Sequence, residues 1–94
     1  MINRFYSYKE DLEERLKNPK FKKAWEESEA EYLLAEKLIE KRLAKKMSQR
    51  ALAKKLKTSQ AAISRIETMN GNPSFSFLKR IATALDSKLT LQFK

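Results

Sequence analysis

Apolar residues recur at helical spacing along most of the chain and switch to strict alternation only at its end. Leu12 and Leu16 stand at i, i+4 behind Ser7-Tyr8-Lys9-Glu10, where Ser7 and Glu10 have the spacing of a capping box. Asn18-Pro19 closes this first helix, because a residue before proline avoids the α region. Pro19 also suits the first turn of the next helix. Between residues 20 and 46 nothing interrupts a helix, and Phe21, Trp25, Tyr32, Ala35, Ile39 and Leu43 keep the period, with Leu34 and Leu38 beside them. That run permits either one long helix or a bend across residues 26–31, where four glutamates surround Ser28 and Ala30.

Two short patterns then face each other between Ser48 and Glu67. Leu52, Ala53 and Leu56 share one helix face, and Ile63 with Ile66 forms the seam of the following helix. Ser48 stands where an N-cap belongs, and Thr58 or Ser59 can cap the second helix. The gap at residues 57–59 leaves room only for a sharp turn, which is the plan of a helix-turn-helix. Residues 68–73 are turn-rich, Ser74 can cap a further helix, and Leu78, Ile81, Ala82 and Leu85 form its apolar face before Asp86-Ser87 ends it. In the tail, Leu89, Leu91 and Phe93 alternate with Thr90 and Gln92, which predicts a short β-strand. A lone strand needs a partner for its edge groups; a second copy, the N-terminal arm or another protein could supply it. The aromatic start, with Phe5, Tyr6 and Tyr8, reads as a short strand or an arm.

Composition narrows the function. Ninety-four residues make one small domain with room for an arm. With no cysteine, no histidine and a single glycine (Gly71), disulfides, thiolate metal sites and most catalytic constellations are excluded. The chain reads as a non-enzyme without metal or cofactor. It has no secretory signal and no apolar run near the roughly 20 residues that span a bilayer, which points to a soluble cytoplasmic protein with no membrane partner. Charge is divided unevenly. Residues 1–40 carry eight Lys/Arg against ten Asp/Glu, a net of −2, whereas residues 41–94 carry thirteen against two, a net of +11. A basic block built around a helix-turn-helix points to DNA rather than to a merely solvated lysine surface.

Gln49, Ala53, Ile63, Ser64 and Glu67 together resemble the Xre/Cro-type helix-turn-helix: a glutamine opens the first helix, a small residue follows four later, a hydrophobe comes ten beyond, and Ser-x-x-Glu closes the motif. Ala53 gives the crossing helix clearance, and Ile63 plugs the crossing. Two positions depart from the family pattern. Lys57 stands where the turn usually has glycine, at a cost of roughly 1 kcal/mol if φ must be positive there, and Met47 replaces the glycine before Ser48.

The resemblance implies an all-α helical bundle, with an N-terminal helical extension over residues 1–30 and a DNA-binding domain over residues 31–94 that ends in the short strand. It places the helix from Gln60 to Glu67 in the major groove of double-stranded operator DNA. Gln60 can bond adenine bidentately and Arg65 can bond guanine. Ala61 offers a methyl to thymine, and Ser64 is a short, permissive contact. The other readings are helix propensity for Ala61, and a phosphate contact or a solvated side chain for Arg65. Ser48, Gln49, Asn70, Asn72, Ser74 and Phe75 are candidates for phosphate contacts, partly through backbone N–H groups. Charge adds Lys54, Lys55, Lys57 and Lys79. The resemblance also implies a structural ion pair between Arg42 and Glu67. One such helix reads few bases, so a homodimer on half-sites about 34 Å apart is expected. Leu89, Leu91 and Phe93 either build the dimer contact or close the core of the monomer.

The start of the chain exceeds what such a domain needs. Residues 1–40 are acidic overall, and Phe5, Tyr6, Tyr8, Leu12, Leu16, Phe21 and Trp25 give the start of the chain apolar anchors suited to a basic protein partner. Leu16-Lys17-Asn18-Pro19-Lys20-Phe21, the long helix, the motif, Asn72-Pro73-Ser74 and the hydrophobic tail together resemble HigA-like antitoxins of type II toxin–antitoxin modules. That resemblance implies an antitoxin that neutralises a RelE/HigB-like mRNA endonuclease toxin by direct binding and represses its own operon. The alternative is a stand-alone phage-type or bacterial Xre-family repressor with no toxin partner.

Overall fold

The structure is a computed structural model and describes residues 4–93, with side chains described from Glu10 to Phe93. Six helices follow one another: α1 (Arg4–Arg15), α2 (Pro19–Glu27), α3 (Glu29–Ala44), α4 (Gln49–Lys55), α5 (Gln60–Glu67) and α6 (Phe75–Ala84). The main bundle is built from α3 to α6. Among the described residues no helix is long and apolar enough to cross a membrane.

Four helices begin on a side-chain cap. Asn18 Oδ1 accepts from the Lys20 N–H at 2.9 Å, ahead of Pro19 in the first turn of α2. Ser48, Ser59 and Ser74 accept from the N–H groups of Ala51, Ala62 and Phe77 at 2.9, 3.1 and 3.1 Å. Each cap satisfies a donor that the first turn of the helix leaves unpaired. Of the two readings of residues 20–46, the bent one holds. Ser28 takes φ −116°, ψ 13°, and its hydroxyl donates back to the Ala24 carbonyl at 3.1 Å. A serine that bonds the preceding turn in this way competes with continuing the helix. Trp25 then meets Tyr32 edge-on across the break, with ring centroids 4.2 Å apart.

The core lies in the C-terminal two thirds. Leu38 of α3, Leu52, Ala53 and Leu56 at α4, Ile63 and Ile66 of α5, and Ile81, Ala84 and Leu85 at α6 form one buried cluster. Leu34, Met47, Phe77 and Leu78 pack against it. By contrast α2 buries no side chain. Polar ties close the bundle at its ends: Lys45 at the end of α3 pairs with Asp86 after α6, Arg80 donates to the Leu56 carbonyl, and Lys55 Nζ donates to the Ala84 carbonyl at 3.0 Å. The hydrogen bond from Lys45, reinforced by its charge, holds the Asp86 carboxyl below the usual carboxylate range.

Helices α3 to α6 all end the same way. After α4 the Lys57 N–H reaches the Lys54 carbonyl at 3.1 Å and the Thr58 N–H reaches the Ala53 carbonyl at 2.9 Å, the paired bonds of a Schellman motif. The same pairs recur after α3, α5 and α6. In each motif the left-handed position is held by a residue other than glycine: Lys46, Lys57, Met69 and Asp86, with φ between 52° and 65°. The expectation about Lys57 therefore holds. Before Ser48 the left-handed residue is Lys46 rather than Met47. Gly71, the only glycine, serves space instead: a Cβ there would sit 3.3 Å from both Cγ1 and the backbone N of Ile66.

Two expectations at the chain ends are corrected. No strand forms among the described residues. The tail runs as unpaired coil, with Leu91 67% and Phe93 90% exposed, so these two side chains do not close the core. Alternation alone cannot make a strand, because its backbone groups need a ladder partner. At the other end, α1 already includes Ser7, so Ser7 lies inside a helix rather than capping one, and residues 4–8 are helical rather than a strand. The side chains of Phe5, Tyr6 and Tyr8 lie outside the described residues, as do residues 1–3 and the final residue of the tail.

Replacing Lys57 by glycine relieves one left-handed side chain. The expected gain is about 1 kcal/mol, or a rise in melting temperature of about 4–8 °C for a domain of this size. Thermal unfolding followed by circular dichroism checks it, and an unchanged or lower melting temperature would show that the turn carries no strain.

Candidate nucleic-acid interface

The candidate surface is the end of the bundle where α4 and α5 begin. Helix α5 has two faces. Ile63 and Ile66 point into the core, at 0% and 4% exposure, while Gln60, Ala61 and Arg65 are exposed and Ala62 and Ser64 are half-buried. Helix α4 packs on α5 more extensively than any other pair of helices does, with Leu52 and Ala53 buried at the crossing. Ser48 is exposed at the start of α4, and Gln49 is half-buried behind it.

An ion pair holds α5 to α3 beneath this surface. Arg42 Nε donates to Glu67 Oε2 at 2.8 Å and Arg42 Nη2 donates to Glu67 Oε1 at 2.9 Å, a bidentate arrangement. The remaining nitrogen, Nη1, donates to the Met47 carbonyl at 2.8 Å. One guanidinium thus ties the end of α3, the loop before α4 and the last turn of α5 together. The side chains are only 11% and 5% exposed, so removing either partner leaves a nearly enclosed charge. Gln49 Nε2 also donates to Glu67 Oε1 at 3.0 Å, and Gln60 Nε2 lies 3.4 Å from Gln49 Oε1.

The loop from α5 to α6 flanks the same face. Thr68 Oγ1 donates to the Ser64 carbonyl at 2.9 Å, and Asn70 Nδ2 donates to Thr68 Oγ1 at 3.1 Å. Asn70, Asn72 and Ser74 are exposed, and the Ser74 hydroxyl is engaged as the cap of α6. Among the lysines suggested by charge, Lys54 and Lys57 are exposed, whereas Lys55 is drawn to the end of α6. Lys79 lies over the ring of the exposed Phe75, 5.6 Å from its centroid. Sequence reasoning missed the link from Gln49 to Glu67. The two residues are 18 apart and on different helices, and no local spacing signals their contact.

A family model described as helix-turn-helix matches residues 38–92, more than half of the chain. The chain belongs to the Xre-type helix-turn-helix family. The family's domain binds DNA, and the match spans the second half of α3, the whole of α4 to α6 and most of the tail. No curated protein and no solved structure matches the chain. The helices α1 and α2 lie ahead of the matched region.

Arg42→Met in this helix-turn-helix domain leaves Glu67 as an unpaired, nearly buried carboxylate. The expected destabilisation is about 3–5 kcal/mol, read as a fall in the urea midpoint. A loss below about 1 kcal/mol, the range of exposed pairs, would show that the pair does not hold the three segments together.

Proposed function

We propose that the chain is a sequence-specific repressor that binds its own operator as a homodimer, and an antitoxin whose N-terminal helices bind a RelE/HigB-like toxin. The observation that carries the DNA reading is the division of α5: Ile63 and Ile66 are enclosed, and Gln60, Ala61 and Arg65 face outward from one short helix. Gln60 has the donor and acceptor that adenine demands, and Arg65 the fork that suits guanine. Ser64 flanks them, and Ser48, Asn70 and Ser74 lie where phosphates would pass on either side. The net charge of +11 on residues 41–94 supplies the non-specific attraction. A dimer extends the site to two half-sites, and the exposed Leu91 and Phe93 of each tail offer apolar surface to build it.

The antitoxin reading rests on the arm. Leu12, Leu16, Phe21 and Trp25 are all only half-buried. Arg15 covers one side of Phe21, 6.0 Å from its centroid. Glu10, Asp11, Glu13 and Glu14 are exposed on α1 beside Leu12 and Leu16, and Lys20, Lys22 and Lys23 flank Phe21 on α2. The acidic first half of this apolar ridge suits a basic protein surface. A stand-alone repressor is the second reading; it shares the DNA surface and leaves the arm without a partner.

Gel retardation on the DNA upstream of the gene, together with co-purification of the product of the neighbouring reading frame, tests both activities. Gln60→Ala with Arg65→Ala should abolish retention and leave capture of a small basic partner intact. Phe21→Glu should do the reverse. Equal loss of both activities in either variant would overturn two separable surfaces, and the lack of any toxin-like neighbour would leave the stand-alone repressor.

A further inference from the structure

Helix α6 carries Ser76, Lys79, Arg80 and Thr83 at i, i+3, i+4 and i+7, which puts them on one helix face. Leu78 and Ile81, on the other side, pack into the core. Lys55 and Leu56 at the end of α4 meet the polar face, and together these residues line an open groove of about 470 Å³. That volume lies within the roughly 300–1,000 Å³ of small-ligand sites. Three cations stand in the groove, and among the described residues no carboxylate lines it. Residues 41–94 hold two acids, and both are engaged elsewhere, Glu67 by Arg42 and Asp86 by Lys45. Two of the cations are fixed by reciprocal capping. Arg80 of α6 donates to the Leu56 carbonyl at the end of α4, and its guanidinium lies 5.7 Å from the centroid of the Phe77 ring. Lys55 of α4 donates to the Ala84 carbonyl at the end of α6 at 3.0 Å. Each bond satisfies a carbonyl that a helix end leaves free. Neither exhausts its donor, because arginine has five N–H groups and lysine three.

We propose that this groove binds a small, multiply charged phosphate ligand of the polyphosphate type, at a site separate from the DNA surface. The site goes beyond the DNA-binding and toxin-binding readings and depends on neither. The spare donors of Lys55 and Arg80 are held in place before a ligand arrives, which lowers the cost of ordering them. The three like charges repel one another until an anion enters. A single carboxylate offsets one of them. A short chain of phosphates offsets all three, and its oxygens suit the fork of Arg80, with the Ser76 hydroxyl beside it. The backbone of a duplex brings the same chemistry, but the pinned cations lie toward the wrong end of α6. Lys55 is bound at Ala84, ten residues and about 15 Å along the helix from the Ser74 cap that flanks the DNA surface.

The test titrates the full chain with sodium tripolyphosphate at constant ionic strength and follows backbone amide resonances. The shifts should saturate and concentrate at Lys55, Leu56, Ser76, Lys79, Arg80 and Thr83. Lys79→Gln removes one charge and no helix cap, and should weaken binding about threefold or more. Lys22→Gln, the same loss of charge on α2, should leave it unchanged. An absence of saturable shifts, or equal weakening in the two variants, would reduce the groove to diffuse positive charge and overturn the site. A second arm separates the two sources of phosphate, using a duplex that the protein selects from a randomised library. Lys79→Gln should leave the salt dependence of binding to that duplex unchanged. A log–log slope shallower by about one would assign the groove to the DNA backbone and overturn a separate ligand. Failure to select any duplex would count against the DNA-binding reading and leave the tripolyphosphate result standing.

Discussion

Leu52 and Ile63, both at 0% exposure, sit where α4 and α5 cross, and the shape of the outer surface follows from that contact. The two helices have seven and eight residues, too short to persist alone in water. Burial of their facing sides holds them helical. Ala53, 2% exposed, keeps that side shallow enough for a close approach. A larger side chain would push α5 outward and turn Gln60 and Arg65 with it. The Schellman turn at Lys57 sets the direction in which the chain leaves α4, and Ser59 starts α5 within two residues. Left-handed strain at Lys57 is tolerated because the packing on both sides over-determines the turn.

Polar contacts complete what the apolar crossing begins. Arg42 reaches α5 and the loop before α4 at once, so the helix that leads from the arm also braces the recognition helix. Helix α3 spans both regions: its first turn carries Tyr32, which meets Trp25, and its last carries Arg42. The charge of the chain is divided along the same line, acidic ahead of residue 41 and basic after it. This suits a polyanionic partner at the basic end.

Much of this architecture was legible in local chemistry. Ser48, Ser59 and Ser74 announce helix starts because a short side-chain acceptor three residues ahead of a free N–H is a local device, whereas Asn18 read only as the end of α1. The helical period identified the core faces of α4, α5 and α6, and Ser28 marked a possible bend. Contacts between distant residues were less visible. Arg42 and Glu67 are 25 positions apart, and their pairing was suggested by family resemblance, not by spacing. The hydrogen bond from Gln49 to Glu67 had no such prompt. In the tail, the alternation of Leu89, Leu91 and Phe93 gave the right period for a strand, but a strand depends on a neighbour that local sequence does not specify. The helix ends misled in another way. Glycine is the usual sign of a left-handed cap, and here Lys46, Lys57, Met69 and Asp86 take that conformation while Gly71 does not.

The central claim is that the outward face of α5 enters the major groove. Titration of the isotope-labelled protein with its selected duplex, followed by backbone amide resonances, addresses it residue by residue. The account predicts the largest shifts at Gln60, Ala61, Ser64 and Arg65, with smaller ones at Ser48, Gln49 and Asn70 and almost none in α1 and α2. Shifts concentrated in the arm or along α6, with those of α5 unmoved, would contradict it.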